Sequence, residues 1–193
     1  MIYTKNIQKA IKFAAKTHNH YQQQLRKGKD IPYISHPLTV GMILSLASAT
    51  EDVILAGILH DTVEDSIEEK KVTAEMLIER FGENVAQLVL SVTEEDKTLS
   101  WEERKQQALE HVSDFSHESL MVKAADVVSN VSEILDDFQR EGNEVFARFS
   151  VAKEQTIGYQ LKLISAIIDA WPKNPLTGDL AMLASELQAI RFS

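Results

Sequence analysis

EDVILAGILHDTVED, residues 51–65, is an apolar helix pattern that runs straight into a histidine and three carboxylates. Val53 to Ala56, Ile58 and Leu59 leave little polar surface on any side, so Glu51 to about Val63 reads as a helix buried in a core. A core helix normally ends on a cap and a loop. This one ends on His60, Asp61, Glu64 and Asp65 within six positions. The arrangement predicts a functional site at the edge of a core.

Apolar spacings of three and four recur on both sides of this segment, and seven glycines and four prolines are few for 193 residues. The fold class is therefore all-α. Helices are predicted from Thr4 to about His18, Pro37 to Ala49, Glu51 to about Val63, Thr73 to Phe81, Glu83 to Val92, Trp101 to about Val112, His117 to Phe138, about Asn143 to Ala170, and Leu176 to Ile190. Thr4 and Thr73 are N-cap candidates, and Gly82 is placed to end the helix before it. No linker rich in Gly, Ser or Pro divides the chain, so residues 1–171 are expected to form one domain, with 172–193 a packing helix of the same domain.

Apolar residues make up 44% of the chain and charged ones 25%, as in an ordinary soluble globular protein. A net charge of −9 disfavours a polymeric DNA or RNA partner, although a local basic pocket can still hold a small polyanion. With no cysteine there is no disulfide, thiolate metal site or cysteine nucleophile, which fits a reducing compartment. No secretory signal or membrane-spanning stretch is visible, and the expected location is cytoplasmic.

A His-Asp dipeptide alone carries little weight, but this one has company. His36 precedes Pro37, which pushes it toward extended backbone and holds it at a helix entrance. Asp126 interrupts the otherwise apolar stretch Leu120 to Val131, with Asn130 one turn later on the same face. A buried aspartate needs a cation or hydrogen bonds. His36, His60, Asp61 and Asp126 offer two imidazoles and two carboxylates, a set suited to Mn²⁺ or Fe²⁺ and also open to Zn²⁺. If the helix continues past His60, Glu64 and Asp65 stack one turn above His60 and Asp61.

The order RK (26–27), PYISHP (32–37), LHDTVED (59–65) and KAADxxxN (123–130) resembles the HD-domain metal phosphohydrolases. It is most similar to the hydrolase domain of the RelA/SpoT alarmone enzymes and its stand-alone, Mesh1-like small relatives. The resemblance runs from about Ile7 to Ala170 and implies an HD-domain bundle of about eight to ten helices. It implies metal ligands at His36, His60, Asp61 and Asp126, a catalytic pair at Glu64 and Asp65, and substrate contacts at Arg26, Lys27 and Asn130. Lys97 and Lys153 are further candidate phosphate contacts, and His18 a candidate support for the site from the first helix.

The implied reaction removes the 3′-pyrophosphate of guanosine tetra- or pentaphosphate, with Mn²⁺ as cofactor, to give GDP or GTP. The implied partner is a small phosphorylated nucleotide. Val127 and Ser129 depart from the alarmone-hydrolase pattern, which usually has a basic residue and then His or Tyr between the Asp and the Asn. Two alternatives therefore stand beside that reaction: hydrolysis of another nucleotide phosphate, and a regulatory module that binds a nucleotide without turning it over.

Overall fold

The protein is described by a computed structural model covering residues 3–94 and 98–191. Among the described residues there are nine α-helices and no strand, the one β-bridge being the isolated pair Leu25–Pro32. The chain forms two compact units, residues 1–95 and 96–193.

The first unit holds α1 (Lys5–Ala15), α2 (Ser35–Leu46), α3 (Glu51–Leu59), α4 (Ala74–Phe81) and α5 (Glu83–Val92). Thr4 caps α1 by accepting from the Ile7 N–H, and Thr73 caps α4 by accepting from Met76. Gly82 separates α4 from α5 with φ +91°, a backbone region that a side chain would strain. At the centre lies α3, which packs against α1, α2 and α5 and buries Val53, Leu55, Ala56, Ile58 and Leu59. Each large apolar side chain buried there contributes about 1.5–3 kcal/mol.

Two glycines set how closely α2 and α3 approach. A Cβ on Gly57 would lie 2.3 Å from Leu44 Cδ1, and one on Gly41 would lie 2.6 Å from Ile58 Cγ1. Because the two helices are joined by a short turn and pack along their length, the first turn of α2 comes beside the last turn of α3. That pairing places His36 next to His60.

The second unit holds α6 (Trp101–His111), α7 (His117–Glu141), α8 (Lys153–Ala170) and α9 (Thr177–Arg191). Ser100 and Glu103 form a reciprocal capping box on α6, and Ser116 caps α7. α9 buries Leu180, Leu183 and Leu187 and packs on α7 and α8. None of the described helices is long and apolar enough to cross a membrane.

Several helix boundaries differ from the sequence expectation. α2 runs from Ser35 to Leu46 rather than Pro37 to Ala49, so His36 lies in its first helical turn and not in extended backbone before it. α1 passes into a π-helical turn over Lys16–Tyr21, so ordered helix continues beyond His18. α3 ends at Leu59 rather than about Val63, and residues 60–65 form turns. The Leu59 carbonyl there accepts from both the Thr62 N–H (2.9 Å) and the Thr62 hydroxyl (2.6 Å). The helix expected from about Asn143 begins only at Lys153. Gly142 (φ +61°) ends α7, and Gly142–Arg148 is a 3₁₀ segment that buries Val145 and Phe146.

Candidate functional site

In the first unit three side chains bring donor atoms to one point. His36 is the second residue of α2, immediately before Pro37, and its N–H donates to the Tyr33 carbonyl at 2.9 Å. His60 follows the last residue of α3. Their Nε2 atoms are 3.3 Å apart. Asp61 Oδ2 lies 3.1 Å from His60 Nε2 and 3.7 Å from His36 Nε2. Both imidazoles are buried, and Asp61 is half-buried.

One tautomer follows from the backbone. His60 Nδ1 lies 2.8 Å from the Gly57 carbonyl, which can only accept, so Nδ1 carries the proton in the neutral ring. The Nε2 lone pair then faces His36 and Asp61. Two imidazole nitrogens and a carboxylate oxygen converging in a largely dry corner form a donor set that fits a divalent cation of intermediate softness.

Tyr33 buttresses this set. Its hydroxyl donates to Asp61 Oδ2 at 2.6 Å. Burial, reinforced by the Asp61 and Asp65 carboxylates, pushes that hydroxyl well above the ordinary phenol range, so it stays a donor. Its ring lies 5.8 Å from the His36 ring and 5.1 Å from the His18 ring.

Asp65 is held from another side. Gln24 donates through Nε2 to Asp65 Oδ2 at 2.9 Å, and its Oε1 lies 3.0 Å from His18 Nδ1. Since Gln24 uses its NH₂ on Asp65, its oxygen accepts, and His18 Nδ1 must be the protonated nitrogen. His18 is fully buried, and its Nε2 has no hydrogen-bond partner. Burial holds the imidazole below its usual pKa against the opposing pull of Asp61. A second proton would sit on Nε2 with nothing to accept it, so this histidine is neutral. The π-helical turn carries His18, and such turns recur at functional sites.

The expected stacking of Glu64 and Asp65 on a continuing helix is replaced by turns, within which the Asp65 N–H still donates to the Asp61 carbonyl at 2.9 Å. Glu64 accepts from the Glu94 N–H at 3.4 Å. Arg26 is half-buried, its guanidinium 5.4 Å from the Tyr33 ring centroid, and its N–H donates to Ile31 in the loop closed by the Leu25–Pro32 bridge. Lys27, on the same loop, is exposed.

The second unit carries the remaining candidates on α7 and α8. Asp126 is 8% exposed, with Lys123 Nζ 3.0 Å from its Oδ2 and Asn130 Nδ2 donating to its Oδ1 at 2.6 Å. Val127 and Ser129 are buried. Lys153 donates to Asn143 at 2.7 Å, and its ammonium lies over the rings of Phe138 (5.3 Å) and Phe146 (5.6 Å). Lys97 lies outside the described residues.

Tyr33 and Gln24 were missing from the sequence reading. Tyr33 had a signal, since it stands within PYISHP three residues before His36. Gln24 had none, being one of three consecutive glutamines.

The sequence matches the HD domain family over residues 10–157. The chain belongs to the HD domain family. Among curated relatives, the zebrafish (Danio rerio) guanosine-3′,5′-bis(diphosphate) 3′-pyrophosphohydrolase MESH1 is 40% identical over 126 residues. That alignment covers 64% of this chain, and the chain spans just under two thirds (66%) of that relative's length. Among solved structures, a metazoan ortholog of SpoT described as hydrolysing ppGpp superposes with a TM-score of 0.71 at 26% identity, covering 97% of this chain and 94% of that one. A Listeria monocytogenes protein superposes with a TM-score of 0.72 at 32% identity, covering 82% of this chain and 99% of its own. In this HD-domain chain, the His-Asp pair His60–Asp61 stands at the end of a buried helix.

Proposed function

We propose that this HD-domain protein is a metal-dependent phosphohydrolase that removes the 3′-pyrophosphate of guanosine tetra- or pentaphosphate, giving GDP or GTP and pyrophosphate. The observation that carries the proposal is the convergence of His36 Nε2, His60 Nε2 and Asp61 Oδ2 within 3.7 Å, with the His60 tautomer fixed by Gly57. The MESH1 relatives support the substrate. We assign Mn²⁺ as the cofactor, Asp126 as the fourth ligand, and residues 1–171 as the hydrolase domain, with 172–193 its packing helix, in a cytoplasmic protein.

His36, His60, Asp61 and Asp126 would hold a divalent ion, which when bound would lower the pKa of a water and polarise a phosphoryl oxygen. The chain's own residues do the rest. Glu64 and Asp65 orient the attacking water and take its proton, with Asp65 held in place by Gln24. Tyr33, donating to Asp61 Oδ2, fixes that carboxylate's orientation beside the two imidazoles. Arg26 and Lys27 neutralise substrate charge, the Arg26 guanidinium beside Tyr33 being placed to fork onto phosphate or stack on a base. Asn130 steadies Asp126 and adds a polar contact to substrate. Lys97 and Lys153 complete the phosphate contacts in this assignment.

The test is product analysis with the Mn²⁺-loaded chain and guanosine tetraphosphate, alongside Asp61→Ala. Pyrophosphate and GDP are expected from the wild type alone. Equal turnover by Asp61→Ala would remove the assigned centre. A second reading, hydrolysis of another nucleotide phosphate, is favoured by Val127 and Ser129, which put an apolar and a small side chain where alarmone hydrolases usually carry larger polar groups. Metal binding without release of pyrophosphate, together with turnover of another nucleotide in a substrate panel, would select it. Tight nucleotide binding with no product anywhere in the panel would select a binding module.

A further inference from the structure

Helix α1 carries an unusual charge pattern. It contains no acidic residue, although the whole chain has 29 acids against 20 bases. Lys5, Lys9, Lys12 and, in the following turn, Lys16 are spaced four, three and four apart, which puts all four on one stripe of the helix. Like charges at these spacings destabilise a helix, and Lys5 stands in the first turn, where the helix dipole disfavours a cation. The core contacts of α1 come from Ala10 and Ala14, and a bond to the neighbouring helix accounts for Lys9 but not for a cation at every position of the stripe.

The stripe lines an open groove of about 330 Å³ together with Phe13 and with Arg80, at the end of α4. None of the lining residues is acidic. Lys9 and Arg80 are held against the fold. Lys9 Nζ donates to the Arg80 carbonyl at 2.7 Å and lies 5.3 Å from the Phe81 ring centroid. The Arg80 guanidinium lies 5.4 Å from the centroid of Phe13, and Phe13 meets Phe81 edge to face. None of these side chains belongs to the proposed hydrolytic centre.

We propose that this groove binds a linear polyphosphate group, carried by a nucleotide or free. Several charges on one compact ligand suit the stripe: at about 1.5 Å rise per residue, Lys9, Lys12 and Lys16 stand roughly 4.5 and 6 Å apart along the axis. A single monovalent anion would meet only one or two of them. A volume of this size is that of a small-molecule site rather than a track for a polymer. The Arg80 guanidinium, backed by Phe13, supplies a flat cationic surface on which a base can stack.

Calorimetric titration of the metal-free 193-residue chain with inorganic tripolyphosphate, and separately with GTP, tests the proposal. One equivalent should bind, at least tenfold more weakly to Lys9→Glu/Lys12→Glu. Asp61→Ala, which removes a proposed metal ligand, and Lys162→Glu/Lys173→Glu, which makes the same charge change at two other exposed lysines, should each bind like the wild type. Tighter binding of GTP than of tripolyphosphate, with the difference abolished by Arg80→Ala, would identify a nucleotide as the carrier; equal binding would identify the bare polyphosphate. The neutral pair Lys9→Gln/Lys12→Gln should show a smaller loss in the same direction. The proposal falls if no binding is seen, if Lys162→Glu/Lys173→Glu weakens binding as much as Lys9→Glu/Lys12→Glu, or if Asp61→Ala alone abolishes it.

Discussion

Replacing Gln24 by Leu removes two hydrogen bonds and little volume. The first is the 2.9 Å bond from Nε2 to the Asp65 carboxylate, and the second joins Oε1 to His18 Nδ1 at 3.0 Å. A bond to a charged acceptor contributes about 1.5–3 kcal/mol, and leaving the buried His18 N–H without an acceptor costs about 1–3 kcal/mol. Fold stability should therefore fall by roughly 3 kcal/mol, given partial relaxation around the loop. If Asp65 acts through an orientation that Gln24 imposes, part of the first contribution is also lost in the transition state. A loss of about 1.5–3 kcal/mol there is a fall of roughly 10- to 100-fold in kcat. KM and bound metal should change little, because neither His36, His60 nor Asp61 touches Gln24 by any of these bonds. The assay is pyrophosphate release from guanosine tetraphosphate across a substrate series, with metal content measured on the same sample and unfolding followed in denaturant. A kcat within twofold of wild type, in a variant that retains its metal but has lost the expected stability, would refute the positioning role and leave Gln24 a purely structural residue.

Tyr33→Phe deletes the donor to Asp61 while keeping the ring; metal affinity should fall about 10- to 100-fold, as for other groups that orient a ligand, and competition with a fluorescent chelator would measure it. Gly57→Ala forces a methyl to within 2.3 Å of Leu44, a core side chain with no exposed surface; a loss of about 1–3 kcal/mol in denaturant titration is expected, together with weaker metal binding as the ends of α2 and α3 part. The His18 pKa is depressed in the fold, so the unfolded chain takes up that proton first, and stability should fall as pH drops through about 6.5, the ordinary histidine value. His18→Gln should flatten this part of the pH dependence of the denaturation midpoint, and an unchanged slope would show that His18 is not buried neutral.

Much of the frame was legible because each helix announces itself through its apolar spacing and its ends. Thr4, Thr73 and Gly82 act as the sequence indicated, and His36 and His60 come together where Pro37 and the end of an apolar helix place them. The failures have physical causes. Val145, Phe146, Phe149 and Val151 keep an apolar rhythm that reads as helix, but Gly142 has already turned the chain. There the buried Asp137 binds Arg148 at 3.0 Å and also pairs with Arg140, an ion network that holds the 3₁₀ segment and that no local spacing reveals. The π turn after α1 shifts the helical phase by one residue, so the 3.6-residue rhythm alone does not place His18, although the sequence marks it as a candidate support for the site. Gln24 was invisible for a different reason. Its role depends on a hydrogen bond across 41 positions of sequence, between groups whose types are common in any loop.

The apolar character of α3 and the polar cluster at its end have a common cause. A helix buried on nearly all sides ends at a dry boundary, and a group placed there is partly removed from water. In that setting the Gly57 carbonyl can dictate which nitrogen of the neutral His60 ring carries the proton, and a phenol such as Tyr33 remains a donor at any ordinary pH. The same dryness makes Asp61 costly to bury without a partner, and with the His60 Nε2 lone pair turned toward it the carboxylate depends on the Tyr33 hydroxyl and on a cation. Extending α3 as regular helix past Leu59 would disrupt this arrangement, because residues 60–65 would then follow the helical rise away from His36. The Thr62 hydroxyl bonded to Leu59 holds the chain in turns at that point. Thr62→Val, which keeps the shape and removes that bond, should therefore weaken metal binding more than it lowers the unfolding midpoint. An equal effect on both would mean that Thr62 serves only the fold.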